Sequence, residues 1–396
     1  MSRKHLSLAG LVVAAVLIAS SVAGYAAFQM KDGKIKAAFI YVGPKHYGWS
    51  HMHEVARRYI DEKFPWLETV YAEAVSEADI NHYIERFIVE EGCEVVFTTS
   101  FAFMDATIEA GKKYPHTIFF NCSGYKRAPN VATYFAEFYQ LYYLNGLMAG
   151  ILTKTDKVGY VAAYPTPEVV KHINAFALGV KKTNPGATVD VRWLFAWYDP
   201  TKARTAAESL IKQGCDVLAF TEDSPTVVKV GQEYTEKGEP VYTFADYSPM
   251  QKFGLDSCVS GQLVHWEVLY EDILAKVYVG VYTSDNLGDV DYWWMLREKA
   301  VELGGEFGVP INPKFESIFK QQKIIDPLLG EISVYGLVMK RVEQMSEVTV
   351  LFDPFSGPIK DQEGRVRIEA GCRASHDELW TMAWFVENVV GKLHRH

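Results

Sequence analysis

The sequence predicts an α/β protein of two lobes, each a parallel sheet flanked by helices. Uncharged, strand-like stretches alternate with helical patterns along most of the chain. One strand-and-turn grammar occurs twice, in residues 85–100 (ERFIVEEGCEVVFTTS) and 207–224 (AESLIKQGCDVLAFTEDS), with Gly-Cys-acid-Val in register. Strands interleaved with helices build parallel sheets covered on both faces, and two copies of one pattern imply two lobes. A chain of 396 residues is ample for both cores.

In chain order, Arg3, Lys4 and His5 precede an uncharged run from Leu6 to Phe28 that carries small residues at Ser21, Ala23, Gly24 and Ala26. This pattern predicts a secretory signal over residues 1–26, cleaved after Ala23 or Ala26. The alternative is an uncleaved anchor helix, the run being about long enough to span a bilayer. Either way the remainder lies outside the cytoplasm. No cysteine is near enough to carry a lipid anchor, so a soluble periplasmic protein is expected.

The stretch from Lys36 to Phe64 reads as strand, turn and helix: Ala37 to Val42 without a charge, a stop at Gly43 and Pro44, then Trp49, Met52, Val55, Tyr59 and Ile60 at helical spacing. Further strands are expected at 117–120, 157–162, 188–195 and 241–244, and a helix at 167–180. The expected lobes are 31–150 with about 250–284, and 151–248 with about 330–396, leaving 285–330 unassigned. The chain would cross between them near Gly150, near Ser248 and between Gly280 and Val334.

A net charge of −9, with no basic cluster beyond the first residues, argues against a nucleic-acid partner. The five cysteines (Cys93, Cys122, Cys215, Cys258 and Cys372) are too scattered for a zinc site and too few for a disulfide scaffold. Cys93, Cys122 and Cys215 fall in or beside expected strands and read as core, with a single disulfide left open. There is no nucleophile elbow, phosphate loop or zinc-protease helix. No catalytic residue, metal or cofactor is expected, and the chain does not read as an enzyme.

Ligands bind parallel sheets beyond the carboxyl ends of their strands. The residues just past those ends are 44–50, 99–101, 121–123, 196–199, 221–224 and 245–247. They include Trp49 and Trp197, one in each expected lobe, with polar groups at Asn121, Asp223 and Asp246. Two indoles with a few polar readers suit a planar heterocycle, since stacking is worth roughly 1–3 kcal/mol per ring. The bland alternative for each tryptophan is core or interlobe packing. Aromatics make up 14% of the chain, with 9 Trp and 23 Tyr, which leaves rings to spare for such a site.

Four segments carry a family resemblance: FIYVGPKHYGWS (39–50), TEDSP (221–225), LVHWEVLYEDIL (from Leu263) and FSGPIKDQEGRVRIEAG (355–371), the last followed by ELWTMAWFVENVVG. Through them, nearly everything from Lys34 to Lys392 resembles the basic-membrane-protein family of substrate-binding proteins of ABC transporters, which look like type I periplasmic binding proteins and are associated with purine nucleosides or nucleobases. The resemblance implies a small-molecule purine ligand, a transporter permease as partner, and a monomer. It implies that Trp49 lies against the base with Trp197 opposing, that Asn121 reads the base edge, and that Asp246 is the acid near the interlobe crossover. His265 lies near a position where some members carry a ribose-contacting lysine. Tyr47 and Ser50 replace an acid and an amide of the nucleoside pattern, which points toward a bare nucleobase such as adenine. With Ser100, Phe101 and Asp223 at strand ends, these ten residues are the candidate site. The alternatives are a membrane-anchored sensing module and an exported nucleoside hydrolase.

Overall fold

The computed structural model describes residues 33–46, 48–347 and 352–393. The expected signal segment and the candidate Tyr47 lie outside the described residues.

Strands β1 (Ile35–Ile40), β2 (Leu67–Ala72), β3 (Val95–Thr98), β4 (Ile118–Cys122), β5 (Val131–Ala136) and, far later in sequence, β11 (Asp291–Trp294) form one sheet in the order β11-β5-β4-β3-β1-β2. Every pairing in it is parallel. Helices α1 (Gly48–Lys63) and α8 (Trp266–Tyr278) cover one face, and α2 (Ile80–Glu85) and α3 (Met104–Lys113) the other. The strand period explains this: Ala37, Phe39 and Phe97 share a core with Met52 and Ile60, while Ala38, Ile40 and Val96 share one with Ile84 and Ala110.

The second sheet contains β6 (Lys157–Ala162), β7 (Thr188–Trp193), β8 (Val217–Thr221), β9 (Tyr242–Tyr247), β10 (Cys258–Val264), β12 (Val301–Leu303) and β17 (Val389–Val390), in the order β12-β10-β9-β8-β6-β7-β17. Only β12 runs antiparallel to its neighbour. Helices α4 (Tyr139–Leu152) and α5 (Pro167–Thr183) cover one face, α6 (Pro200–Lys212) and α7 (Thr226–Glu236) the other. Glycine lets α4 and α5 touch: a Cβ on Gly146 would fall 2.1 Å from the Phe176 carbonyl oxygen, and one on Gly179 2.2 Å from that of Tyr143. Beyond β12 the chain adds α9 (Pro313–Gln321), the hairpin β13 (Lys323–Asp326) and β14 (Gly330–Ser333), and α10 (Val334–Ser346). The hairpin β15 (Ile359–Lys360) and β16 (Val366–Ile368) and the short α11 (His376–Trp380) follow.

The chain passes between sheets at Glu137–Phe138, at His265, and between Trp294 and Val301. Two crossings differ from expectation. Gly150 lies inside α4, which packs along α5 on the second sheet, so the first crossing comes earlier. After β9 only a 3₁₀ turn at Gln251–Phe253 intervenes before β10, which pairs with β9, so residues 250–264 belong to the second lobe. The unassigned stretch is divided, β11 going to the first sheet and β12 to the second. The crossings are tied to one another: the Glu137 N–H donates to the Trp294 carbonyl at 2.8 Å, and the His265 N–H to that of Ala300 at 2.9 Å.

Helix α1 also departs from the expected face. Met52 and Ile60 are buried, but Val55 and Tyr59 are exposed, and His53 and Arg57 take their places inward. Arg57 grips both carboxylate oxygens of Glu54 at 2.8 Å, and the Tyr41 hydroxyl donates to the same carboxylate at 3.0 Å. A paired, hydrogen-bonded ion tolerates burial. All five cysteines are unpaired, four of them buried and Cys372 exposed.

Candidate functional site

The loops that follow β1, β3, β4, β6, β7, β8 and β9 converge between the lobes. They line a cavity of about 340 Å³, open mouth included. The first lobe lines it with Val42, Trp49, Thr99, Ser100, Phe101 and Ser123, the second with Glu168, Trp197, Asp223 and Tyr247.

Trp49 is placed by Gly48, whose φ of +64° turns the chain into α1. Its indole N–H donates to the Thr99 carbonyl at 2.7 Å, and its ring meets Tyr247 and Trp266 edge to face, at 5.1 and 5.0 Å between centroids. The Trp49 backbone N–H, one of the free donors of the helix start, points at Asp223 Oδ1 of the other lobe at 3.3 Å. The Asp223 N–H donates in turn to the Trp197 carbonyl at 2.8 Å. Trp197 is half-buried beside Tyr164, 5.5 Å away. Ser123 and Tyr247 hold φ of +61° and +58° at their strand ends; backbones held in this region carry strain of order 1–3 kcal/mol and cluster at binding sites.

Five candidates, Trp49, Ser100, Phe101, Trp197 and Asp223, therefore share one cavity. Four others stand outside its lining. Asn121 is fully buried behind the β3 turn, its amide donating to Thr98 Oγ1 at 2.9 Å and to the Ser100 carbonyl at 3.0 Å; it shapes the loop rather than facing a base edge. Ser50 is buried and accepts from the Gly43 N–H at 3.1 Å, closing the β1–α1 loop. Asp246 lies inside the second lobe, accepting from the Tyr142 hydroxyl at 2.8 Å and the Gln262 amide at 2.7 Å. His265 sits in the second crossing between Glu267 and Glu302, at 2.7 and 2.9 Å. Burial works against its charge, but these two carboxylates outweigh it and raise its pKa to about 9.

The residue that sequence reasoning missed is Glu168, at the start of α5. A glutamate in the first turn of a helix reads as a partner of the helix dipole, and the loop after β6 was not counted among the strand ends. Its signal is the Thr166-Pro167-Glu168 helix start directly after a buried strand. Burial pushes the Glu168 carboxyl up to about 7, with Lys171 opposing and Glu137 adding to the rise. Burial likewise pushes Asp223 up to about 7, against the Trp49 N–H. Aromatic walls, four hydroxyls and two carboxyls, with no lysine or arginine in the lining, suit a neutral or cationic ring and disfavour an anion. Among the described residues no group of His, Cys, Asp and Glu is arranged to hold a metal, and no helix is long and apolar enough to cross a membrane.

Residues 34–335 match the family described as PnrA-like ABC transporter substrate-binding proteins. The chain is 33% identical over 365 residues to a purine-binding protein of Brucella abortus, covering 91% of this chain and 95% of that one. It is 36% identical over 279 residues to a Haloferax volcanii protein named for glucose binding in an ABC transporter, covering 70% and 68%. Its fold is similar to that of a solved ABC-transporter solute-binding protein from Aeropyrum pernix, with a TM-score of 0.65 at 15% identity over 87% of this chain and 95% of that one. The family match over residues 34–335 and the 33% identity over nine-tenths of the chain show that this chain belongs to the PnrA-like family of ABC transporter substrate-binding proteins.

Proposed function

We propose that the protein captures a purine nucleobase of the adenine type, or a purine nucleoside, outside the cytoplasm and delivers it to the permease of an ABC importer. The observation that carries this reading is that two indoles from different lobes, Trp49 and Trp197, line one small cavity with two carboxyls and no basic side chain. The rings stack on a flat guest, and Asp223 accepts from its N–H edge. Closing the lobes around the guest creates the state the permease distinguishes from the open one. The Brucella abortus relative's purine-binding name supports the ligand class.

Tryptophan fluorescence and calorimetric titration with adenine, guanine, hypoxanthine, adenosine and glucose test it. Micromolar quenching by one purine class is the expected result, and no heat with any purine overturns it. The second reading is a monosaccharide, favoured by the aromatic and carboxyl lining together with the name of the Haloferax volcanii relative. Heat with glucose and none with purines selects it. Adenosine recovered unchanged after incubation separates a binder from a hydrolase.

A further inference from the structure

Glu168 stands where two cavities meet. It lines the 340 Å³ cavity and also a larger chamber beside it, of about 1,360 Å³ with its mouth; Phe101 and Ser123 wall both. On its far side the chamber is closed by Tyr125 and Arg127 of the first lobe and by Trp380 of α11. Glu168 therefore stands on the side of the small cavity that adjoins the chamber.

The helix start does not need this carboxyl, because the Thr166 hydroxyl already accepts from the Val169 N–H. Glu168 is only 7% exposed. Its contacts within the cleft are weak or shared: the Tyr247 hydroxyl donates to Oε1 at 3.5 Å, and Ser123 hydrogen-bonds from the first lobe. A carboxylate accepts about four hydrogen bonds, so these two contacts leave acceptor capacity on a side chain that lines the cavity. The other charged and titratable groups around it are Lys171 one turn along α5, Glu137 in the first crossing, Cys122 at the end of β4, Asp223 after β8, Tyr247 at the end of β9, and Arg127, paired with Asp291 at 2.9 Å, His376 and Asp377 across the chamber. Lys171 Nζ is held 2.6 Å from Glu137 Oε2, between the rings of Trp293 and Trp380, and does not line either cavity.

We propose that Glu168 determines specificity by accepting a hydrogen bond from an amino group on the edge of the ligand that faces the chamber, so that the site takes 6-aminopurines in preference to 6-oxopurines. This rests on the purine reading above. An ionised carboxylate accepts from an amino group, whereas an oxo group in the same place meets two acceptors unless the carboxyl holds a proton. Because the free carboxyl is poised at about 7, an amino ligand drives it to the ionised form and the displaced proton leaves to the buffer. An oxo ligand draws a proton in.

Calorimetry of adenine, hypoxanthine and unsubstituted purine at neutral pH, in two buffers of different ionisation enthalpy, tests this on the wild type and on Glu168→Gln. The wild type is expected to release protons with adenine and to bind it about 10- to 100-fold more tightly than either other base, the range for a hydrogen bond to a charged group. Glu168→Gln is expected to lose most of the proton release and most of the preference. Unsubstituted purine binding the wild type as tightly as adenine overturns the proposal whether or not the variant folds. So does Glu168→Gln binding adenine within twofold of wild type with the same proton release. If no purine binds at all, the purine reading fails first, and this one with it.

Discussion

The Trp49 N–H, from the first lobe, donates to Asp223 Oδ1, from the second, at 3.3 Å, so a carboxylate of one lobe caps a helix of the other. Immediately before it, Gly48 presses against the Asp223 backbone: an added Cβ would lie 2.5 Å from its carbonyl oxygen and 2.7 Å from its Cα. Backbone atoms do not rotate away. Gly48→Ala is expected to hold the lobes apart, weakening ligand binding by about 100-fold or more as the closed fraction falls. The left-handed φ adds only about 1–2 kcal/mol of strain within the first lobe. Small-angle scattering should show a larger radius of gyration with ligand present, and a compact liganded Gly48→Ala protein would refute the contact as a closure determinant. Asp223→Ala removes both this cap and the acceptor proposed for the guest's N–H edge, and is expected to weaken binding by about 50-fold or more, from roughly 1 kcal/mol for the cap and at least about 1.5 kcal/mol for a hydrogen bond to a charged group.

The two tryptophans should respond differently to deletion. Trp49 is 7% exposed and wedged among Tyr247, Trp266 and His53, so Trp49→Ala is expected to lower stability by about 3–5 kcal/mol. Trp197, half-buried, should lose about 1–2 kcal/mol. If both stack on the guest, each variant loses about 5- to 100-fold in affinity. Denaturant unfolding and calorimetry measure the two effects separately.

His265 bridges Glu267 of the first lobe and Glu302 of the second. Its folded pKa, about 9, lies above the ordinary 6.5. The stability it supplies is therefore complete below about 6.5 and is lost as pH rises through about 9. The melting temperature of the wild type should fall across this window, and the fall should be shallower in His265→Gln. Equal slopes would remove the bridge as a contributor.

A second charge pair marks the first crossing. Glu137 and Lys171 are both fully buried, with His172 3.0 Å from the other carboxylate oxygen. Burial opposes its ionisation, but Lys171 and His172 win and draw the Glu137 carboxyl down to about 2. Its stabilisation is thus present above about 4.5 and lost as pH falls toward 2. Glu137→Gln leaves the Lys171 ammonium uncompensated between aromatic rings and is expected to cost about 3–5 kcal/mol, with the double variant Glu137→Gln, Lys171→Met recovering most of it. Urea unfolding of the three proteins checks this.

The strand and helix alternation was legible because strands buried on both faces read as uncharged runs, as in the stretch leading to Val42. The crossings were not, because α4 is buried almost all round and such a helix reads the same whichever sheet it covers. At the site, Trp49, Trp197 and Asp223 were visible through the strand-end rule alone. Their neighbours show where that rule stops. Asn121 and Ser123 are two residues apart, yet only Ser123 faces the cavity. Asp246 and Tyr247 are adjacent, yet one points into the second lobe's interior and the other into the cleft.

By itself, then, the sequence determined two α/β lobes, a ligand cleft at their strand ends and the aromatic residues flanking it, because hydrophobic period and loop position are local properties of the chain. Tertiary structure decided which polar residue at each strand end enters the cleft, where the chain crosses between lobes, and that Glu168 joins Asp223 there. Those depend on the last backbone turn of each strand, at Ser123 and Tyr247 a left-handed one, and on which lobe lies opposite; neither is written in any local stretch.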